Sequence, residues 1–518
     1  DYKKNFNDRH DLSVMVGTSH ESENYDRFTA KRINFDQQEN MSLQLGSAQD
    51  QNAWSEGNQW TINSFFSRVN YTFANKYVIE GTIRADGSSR FDPDHRWGWF
   101  PGVNAAWRVG EEGFMKRLGW FEDLKVRASY GEMGNQSGIG LYDYIQLISL
   151  SNDYYPFGAG VKGQMATSGN IISTSRTWET IQTTNVGFDF STLNNRLYGS
   201  FDYFWKENKN MLIPKTYPSM LGADAPSTNS GHLSIHGWEI SLGWRDQIKD
   251  FSYSVRFNIS DAKNKVVDRV GSNLIQLGNN ETPTGYPLNS YFGYEFDGII
   301  QNEQELEAYK SRFSEGGIPG DLSVGDAMYK DLDGDGKLSV LGDGKEGSGD
   351  VKYLGDKNPR YNFGFNLSMA WKGFDLSAFI QGVGRRTMFL EGESRCPMPE
   401  AWYQSAEYWY GKTWTPERTD AQYPAITLKD KRNYNYYVST NTKFNVAYAR
   451  LKNLQFGYTI PQTLTSKAGL QKVRVYFSGE DLFEVHNTPN GWDPEENSGS
   501  ITSYPFTRNY SFGINVVF

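Results

Sequence analysis

A chain of 518 residues can form several ordinary domains or one very large all-β unit, and the composition favours the second: aromatics make up 15% and there are 52 glycines, yet hydrophobic residues reach only 38% and mean hydropathy is -0.65. A soluble core this rich in aromatics would carry more Leu and Val, whereas a transmembrane β-barrel shows lipid only alternate residues, places Tyr and Trp at both interfaces and keeps a polar interior. The net charge of -9 argues against a phosphate-backbone binder, so nucleic acid is not an expected partner.

Fourteen amphipathic strands are predicted in chain order, near 10–19, 60–73, 76–86, 98–109, 122–132, 178–190, 196–208, 231–244, 251–262, 360–371, 374–384, 443–459, 472–481 and 508–518. The pattern is clean in "YNFGFNLSMAW", where Tyr361, Phe363, Phe365, Leu367, Met369 and Trp371 share one face. It is equally clean in "FSYSVRFNIS", with Phe251, Tyr253, Val255, Phe257 and Ile259 together. One strand breaks the rule: the face of Phe444, Val446 and Tyr448 runs into Arg450 and Lys452, which predicts a bulge. The final strand ends on Phe518, and its even-numbered residues Tyr510, Phe512, Ile514 and Val516 are the lipid-facing set.

The connections alternate in length. "ANK", "STLNNR", "DQIKD" and "KG" are short, while 20–59, 133–177, 209–230, 263–359, 385–442 and 482–507 are long. Tight turns on one side and extended loops on the other are the asymmetry of an outer-membrane barrel, with the C-terminus then on the periplasmic side. No run approaches the ~18–20 apolar residues of a membrane helix, which excludes spanning by helices. The single cysteine, Cys396, excludes an internal disulfide framework. The first residues carry no basic and apolar leader, so either a signal peptide has been removed or the chain begins partway through a longer protein.

Several stretches resemble the SusC (RagA/SusC) family of TonB-dependent outer-membrane transporters of Bacteroidetes. They include "RADGSSRF" (Arg84 to Phe91), "LKVRASYGEMGNQ" (Leu124 to Gln136), "WETIQTTNVGFDF", "YFGYEFDGIIQ", "DLDGDGKLS", "NPRYNFGFNLSMAWKGFDLSAFIQG" and "SGEDLFEVHNTPNGWDPE", in the family's order and over most of the chain. The resemblance implies a barrel of 22 strands around a plug, of which residues 1–518 supply the last fourteen or so, the plug and first strands lying outside this chain. It implies import of an oligosaccharide, or another large nutrient such as a peptide, with a SusD-like surface lipoprotein as lid and the TonB complex as drive. An open fourteen-strand arc in lipid leaves two edges whose unpaired groups cost on the order of tens of kcal/mol over ~10 residues each, so missing strands are expected to cover them. The even count also permits closure into a small barrel, and the sequence leaves both open. Two rivals stand beside this reading: a structural or adhesive outer-membrane barrel without transport, and a soluble carbohydrate-binding β-protein.

"DLDGDGKLSVLGD" is the sharpest chemical motif. Asp331, Asp333 and Asp335 at positions 1, 3 and 5, Gly336 at 6 and the Lys337 carbonyl at 7 match the start of a calcium loop. Position 12 departs from that pattern: it is Gly342, with Asp343 one place late. The alternative is an acidic turn without metal; an ion here would be structural, and no cofactor is required. Loop aromatics Tyr154, Tyr155, Trp402, Tyr403, Tyr408, Trp409, Tyr410 and Trp414 are candidates for stacking on sugars, though such residues more often pack a loop onto itself. "WDPE" (Trp492 to Glu495) and "YPFTR" (Tyr504 to Arg508) read as structural loop elements, and "GVGRR" (Gly382 to Arg386) as a strand end rather than a phosphate loop. Neither HExxH nor GxSxG occurs, and the scattered carboxylates nominate no glycosidase pair, so no catalytic role is expected.

Overall fold

The computed structural model describes the chain except residues 37, 38, 40, 50, 152–155, 158–160, 163, 164, 170, 215–219, 221–225, 270–282, 342–348, 401, 402, 428, 429, 497, 498, 500–503 and 505. Fifteen strands form one sheet in which each is hydrogen-bonded to its neighbours in chain order. They are β1 (Tyr2–Phe6), β2 (His10–Lys31), β3 (Asn52–Phe73), β4 (Tyr77–Ser88), β5 (Trp97–Trp107), β6 (Asp123–Asn135), β7 (Glu179–Thr192) and β8 (Leu197–Pro214). The series continues with β9 (Ser227–Ile248), β10 (Phe251–Arg269), β11 (Arg360–Trp371), β12 (Phe374–Arg385), β13 (Tyr448–Thr459), β14 (Lys472–His486) and β15 (Asn509–Val517). All fourteen expected strands are present, and β1 is an addition. An odd count leaves no all-antiparallel way for β1 and β15 to pair with each other.

The chain divides into two compact units, one of residues 1–106, 128–184 and 207–232, the other of 107–127, 185–206 and 233–518. In the first, β2 and β3 pair from His10↔Phe73 to Lys31↔Asn52, which is longer than the ~9–11 residues a membrane crossing takes. The loop expected over 20–59 therefore shrinks to 32–51. Beyond the apolar zone both faces of this hairpin are wet, as in Glu21, Glu23, Asp26 and Arg27, so the alternation that marks a half-buried strand fades while the hydrogen bonding continues.

In the second unit the register shows how the sheet segregates its faces. Between β10 and β11, Tyr253↔Met369, Val255↔Leu367, Phe257↔Phe365 and Ile259↔Phe363 alternate with Ser254↔Ser368, Arg256↔Asn366 and Asn258↔Gly364. One face is apolar, the other polar. The turn joining β11 to β12 has two residues, Lys372 and Gly373, both at positive φ (47° and 91°), the arrangement whose twist matches right-handed strands. The expected bulge is found: pairing slips between Phe379 and Ile380 against β13, and again between Leu451 and Asn453 against β14. On β15 the even-numbered residues are open, Phe512 at 84% and Ile514 at 65% exposed, with Phe512 opposite Phe477 and Ile514 opposite Val475. Phe363 is half-buried because its ring lies over Gly382, where a side chain would clash.

The same unit contains a folded body made from the two longest connections. Its core gathers Tyr294, Ile300, Leu306, Tyr309, Phe313, Tyr329 and Tyr434 around the helix Glu303–Arg312. Asn302 caps that helix by accepting the Glu305 N–H, and Glu305 returns the contact to the Gln301 N–H. Buried tyrosines satisfy one another: the Tyr309 and Tyr434 hydroxyls are 2.7 Å apart, and the Tyr329 hydroxyl donates to the Tyr434 carbonyl.

Candidate functional site

Three features of the second unit carry chemistry: an acidic turn, the ion pairs of the polar face, and the loop aromatics. In the acidic turn, carboxylate oxygens of Asp331, Asp333 and Asp335 lie within 4.8 Å of one another. The turn forms because each carboxylate collects local N–H groups. Asp331 accepts from Gly334 (2.7 Å) and Gly336 (3.0 Å), Asp333 from Asp335 (3.3 Å) and Gly349 (2.7 Å), and Asp335 from Lys337 (2.8 Å). Gly334 and Gly336 sit at positive φ, which lets the chain reverse sharply. Beneath the turn Asp350, wholly buried, accepts from Leu332 (2.6 Å) and Ser339 (2.8 Å). Burial, and then the charges of Asp333 and Asp331, raise its carboxyl above the usual range despite those hydrogen bonds. The converging hard oxygens suit Ca²⁺. Lys337 donates its N–H to Asp335, which leaves its carbonyl as the backbone ligand the motif calls for, and Asp343 lies outside the described residues, so the side-chain ligands described are three.

On the polar face, cations meet carboxylates one or two strands away. Arg127 of β6 bonds Asp202 of β8 and Asp189 of β7, Arg474 of β14 bonds Asp375 of β12, and Arg360 of β11 bonds Asp261 of β10. The densest group sits at the bulge. Arg450 meets Asp493 (2.5 Å), Glu495 (3.2 Å) and Glu484 (3.9 Å), and Lys452 meets Asp481 (2.7 Å) and Glu495 (3.1 Å). The bulge places Arg450 and Lys452 together, and the "WDPE" segment supplies two of their counter-ions. From the "YPFTR" segment, Phe506 lies against both cations and Arg508 bonds Glu484. The two motifs are thus one clamp on a strand defect. Spacing alone hid this, because the acids and their cations are about forty residues apart in sequence.

The aromatic candidates separate into two groups. Tyr408 and Trp409 are buried with Tyr423, Tyr436 and Trp492, the Tyr408 and Tyr423 hydroxyls 2.6 Å apart, and so pack the loop body. Trp414 donates its indole N–H to Gln301 Oε1 at 3.0 Å. Tyr410, at 89% exposed, and Tyr403 remain open to solvent. Tyr154, Tyr155 and Trp402 lie outside the described residues. At the short-turn end, the polar face holds a recess of about 790 Å³ lined by residues including Asn195, Arg196, Ser254, Ser368 and Asp375.

An antiparallel sheet with one open apolar face and one ion-paired polar face defines a membrane-spanning strand protein of the outer-membrane type. Comparison with known proteins specifies the family: the profile described as TonB dependent receptor-like, beta-barrel matches residues 1–482, and the chain belongs to that family. It is 31% identical over 547 aligned residues to TonB-dependent receptor P3 of Formosa agariphila, with 100% of this chain and 51% of that protein covered. It is 27% identical to TonB-dependent receptor SusC of Bacteroides thetaiotaomicron, covering 90% of this chain and 45% of that one. A solved structure of the RagAB peptide transporter superposes with a TM-score of 0.81 over 99% of this chain and 54% of that chain at 23% identity, a likeness of fold. The chain spans about half the length of the curated relatives it matches.

Proposed function

We propose that this chain is the C-terminal barrel portion of a SusC-like, TonB-dependent importer of oligosaccharides or other large nutrients such as peptides. The observation that carries the reading is the register of β10 and β11, which puts every large apolar residue on one face and a polar, chargeable surface on the other. The apolar face meets outer-membrane lipid, the polar face lines the lumen, and the recess at the short-turn end is the surface on which a plug seats. With short turns at the periplasm, the C-terminus lies there too, and the folded body built on 290–357 and 387–446 faces outward to meet substrate and a SusD-like lipoprotein. Tyr403 and Tyr410 are the loop aromatics left free to stack on a sugar. The acidic turn is a structural calcium site that stiffens this body, the ion being held by Asp331, Asp333 and Asp335.

Deletion of the full-length gene tests the reading. Cells lacking it are expected to lose uptake of a fluorescent oligosaccharide or peptide, as are cells lacking TonB, and the protein is expected to co-purify with a surface lipoprotein. Uptake unchanged by both deletions, with the protein still resident in the outer membrane, would favour a structural barrel.

A further inference from the structure

Arg360 on β11 and Arg385 on β12 stand directly opposite each other in the strand register. Like charges so placed repel. Asp261 on β10 answers Arg360 through both of its carboxylate oxygens. Arg385 has no hydrogen-bond or ion-pair partner among the described residues, and neither has Lys263 in the second half of β10. With buried Arg386 these cations line a recess of about 260 Å³, just below the common ~300–1,000 Å³ range of small-ligand sites. The recess also contains Asp356, whose oxygens already accept the Tyr353 hydroxyl (2.8 Å) and the Asn358 N–H (3.0 Å). Arg386 is satisfied by the carbonyls of Pro494 (2.8 Å) and Glu496 (2.9 Å). Lys443 adds to the same field: burial, then Arg385 and Lys352, hold its ammonium below the ordinary lysine range.

A strand pair that keeps two arginines face to face, with only one of them neutralised, gives up stability for something. Tyr361 and Gly384, the next residues along, turn to the apolar face, where Tyr361 packs over Gly384. Arg360 and Arg385 thus share the polar side with Asn362 and Gln381, away from the lipid-facing surface. We propose that the recess is a subsite for an oxyanion, a carboxylate or sulfate borne on a sugar unit of the imported oligosaccharide, with Arg385 and Lys263 as its charge partners. The assignment rests on the importer reading and narrows it to acidic oligosaccharides. Arg supplies the planar fork that matches a carboxylate or sulfate, and Lys a mobile point charge.

The test uses the full-length protein purified in detergent and calorimetric titration with three probes of equal length: an oligogalacturonate, a sulfated galactan oligomer and a neutral gluco-oligosaccharide. At least one acidic probe is expected to bind about tenfold or more tighter than the neutral one, weakening with added salt, and the two acidic arms identify the group recognised. Arg385→Gln and Lys263→Gln are each expected to remove about tenfold of that preference and leave neutral binding alone. Arg385→Gln is also expected to leave the melting temperature unchanged or raise it, since it relieves the repulsion with Arg360; a purely structural arginine would lower it. Equal binding of acidic and neutral probes, or an unaltered preference in Arg385→Gln, overturns the proposal. An acidic peptide that binds through Arg385 where both acidic sugars fail overturns the sugar assignment. TonB-dependent uptake of the neutral probe, undiminished by Arg385→Gln and with no preference for acidic probes, removes the subsite and leaves the importer standing; Arg385-dependent binding without any TonB-dependent uptake removes the importer and leaves the subsite.

Discussion

Arg450, whose side chain is only 2% exposed, holds Asp493, Glu495 and Glu484 around one guanidinium. A charge so deeply placed is stabilised only by its partners, and removing it leaves Asp493 without its cation and Glu495 and Glu484 dependent on Lys452 and Arg508 alone. Arg450→Met is therefore expected to cost about 3–5 kcal/mol, read as a lower urea midpoint for the protein folded in bilayers. Adding Asp493→Asn to that variant should restore part of the loss, because one unpaired acid is then gone. If the double variant is no more stable than the single one, Asp493 is not coupled to Arg450. By contrast Arg27 and Glu56 are both well exposed at 3.5 Å, and cutting that pair should change stability by less than about 1 kcal/mol.

At the scale of elements, the strands of the sheet were legible because one face is apolar, and the period of two is clean in segments such as β10 and β11 that cross the apolar zone. The bulge in β13 was legible for the same reason: Tyr448 followed by Arg450 and Lys452 is a face that changes character, and only a slip in pairing reconciles it with its neighbours. What stayed hidden depends on long-range partners. The outer part of the β2–β3 hairpin has no apolar side to betray it, and β1 is only five residues long. The folded body over 290–357 and 387–446 is held by tyrosines from distant segments, such as Tyr309 with Tyr434, so no local period announces it. The acidic turn was legible as residue spacing, whereas Asp350 beneath it was not.

That buried acid makes the turn respond to pH and to metal. Because Asp350 titrates higher folded than unfolded, its contribution to stability is fully present below the ordinary aspartate range and is lost as pH rises through its folded value. Glu295, held down to about 2 by Lys330 and Lys352, stays ionised from roughly pH 4.5 upward and contributes a constant there. Without metal, amide exchange protection around Leu332 and Ser339, corrected for the intrinsic rate, is expected to fall as pH rises from weakly acidic to neutral. With millimolar Ca²⁺ the trend should reverse, since an ion favours the charged carboxylates, and Asp350→Asn should flatten both curves. A metal-independent profile would mean that Asp331, Asp333 and Asp335 form an acidic turn and nothing more.

For the whole molecule, the decisive physical statement is that hydrocarbon touches one side of the sheet and water the other. Adjacent residues in the middle of β10 test it under otherwise equal conditions. Phe257 faces Phe365 on the apolar side, and Asn258 faces Gly364 on the polar side. In a barrel wall Phe257→Lys places an ammonium in the bilayer core, at about 2–4 kcal/mol. Asn258→Lys puts the same charge into a wet lumen, where about 0.5 kcal/mol either way is expected. The comparison is made by urea unfolding in lipid vesicles and repeated in vesicles of thinner bilayers, where the first penalty should shrink and the second stay put, because only the first depends on depth in hydrocarbon. If both lysines were tolerated equally, the apolar face would have to be wet or covered by protein. The exposed ladder of Phe512 and Ile514 on β15 would then be a docking surface rather than a lipid contact, and the transport reading would fail with it.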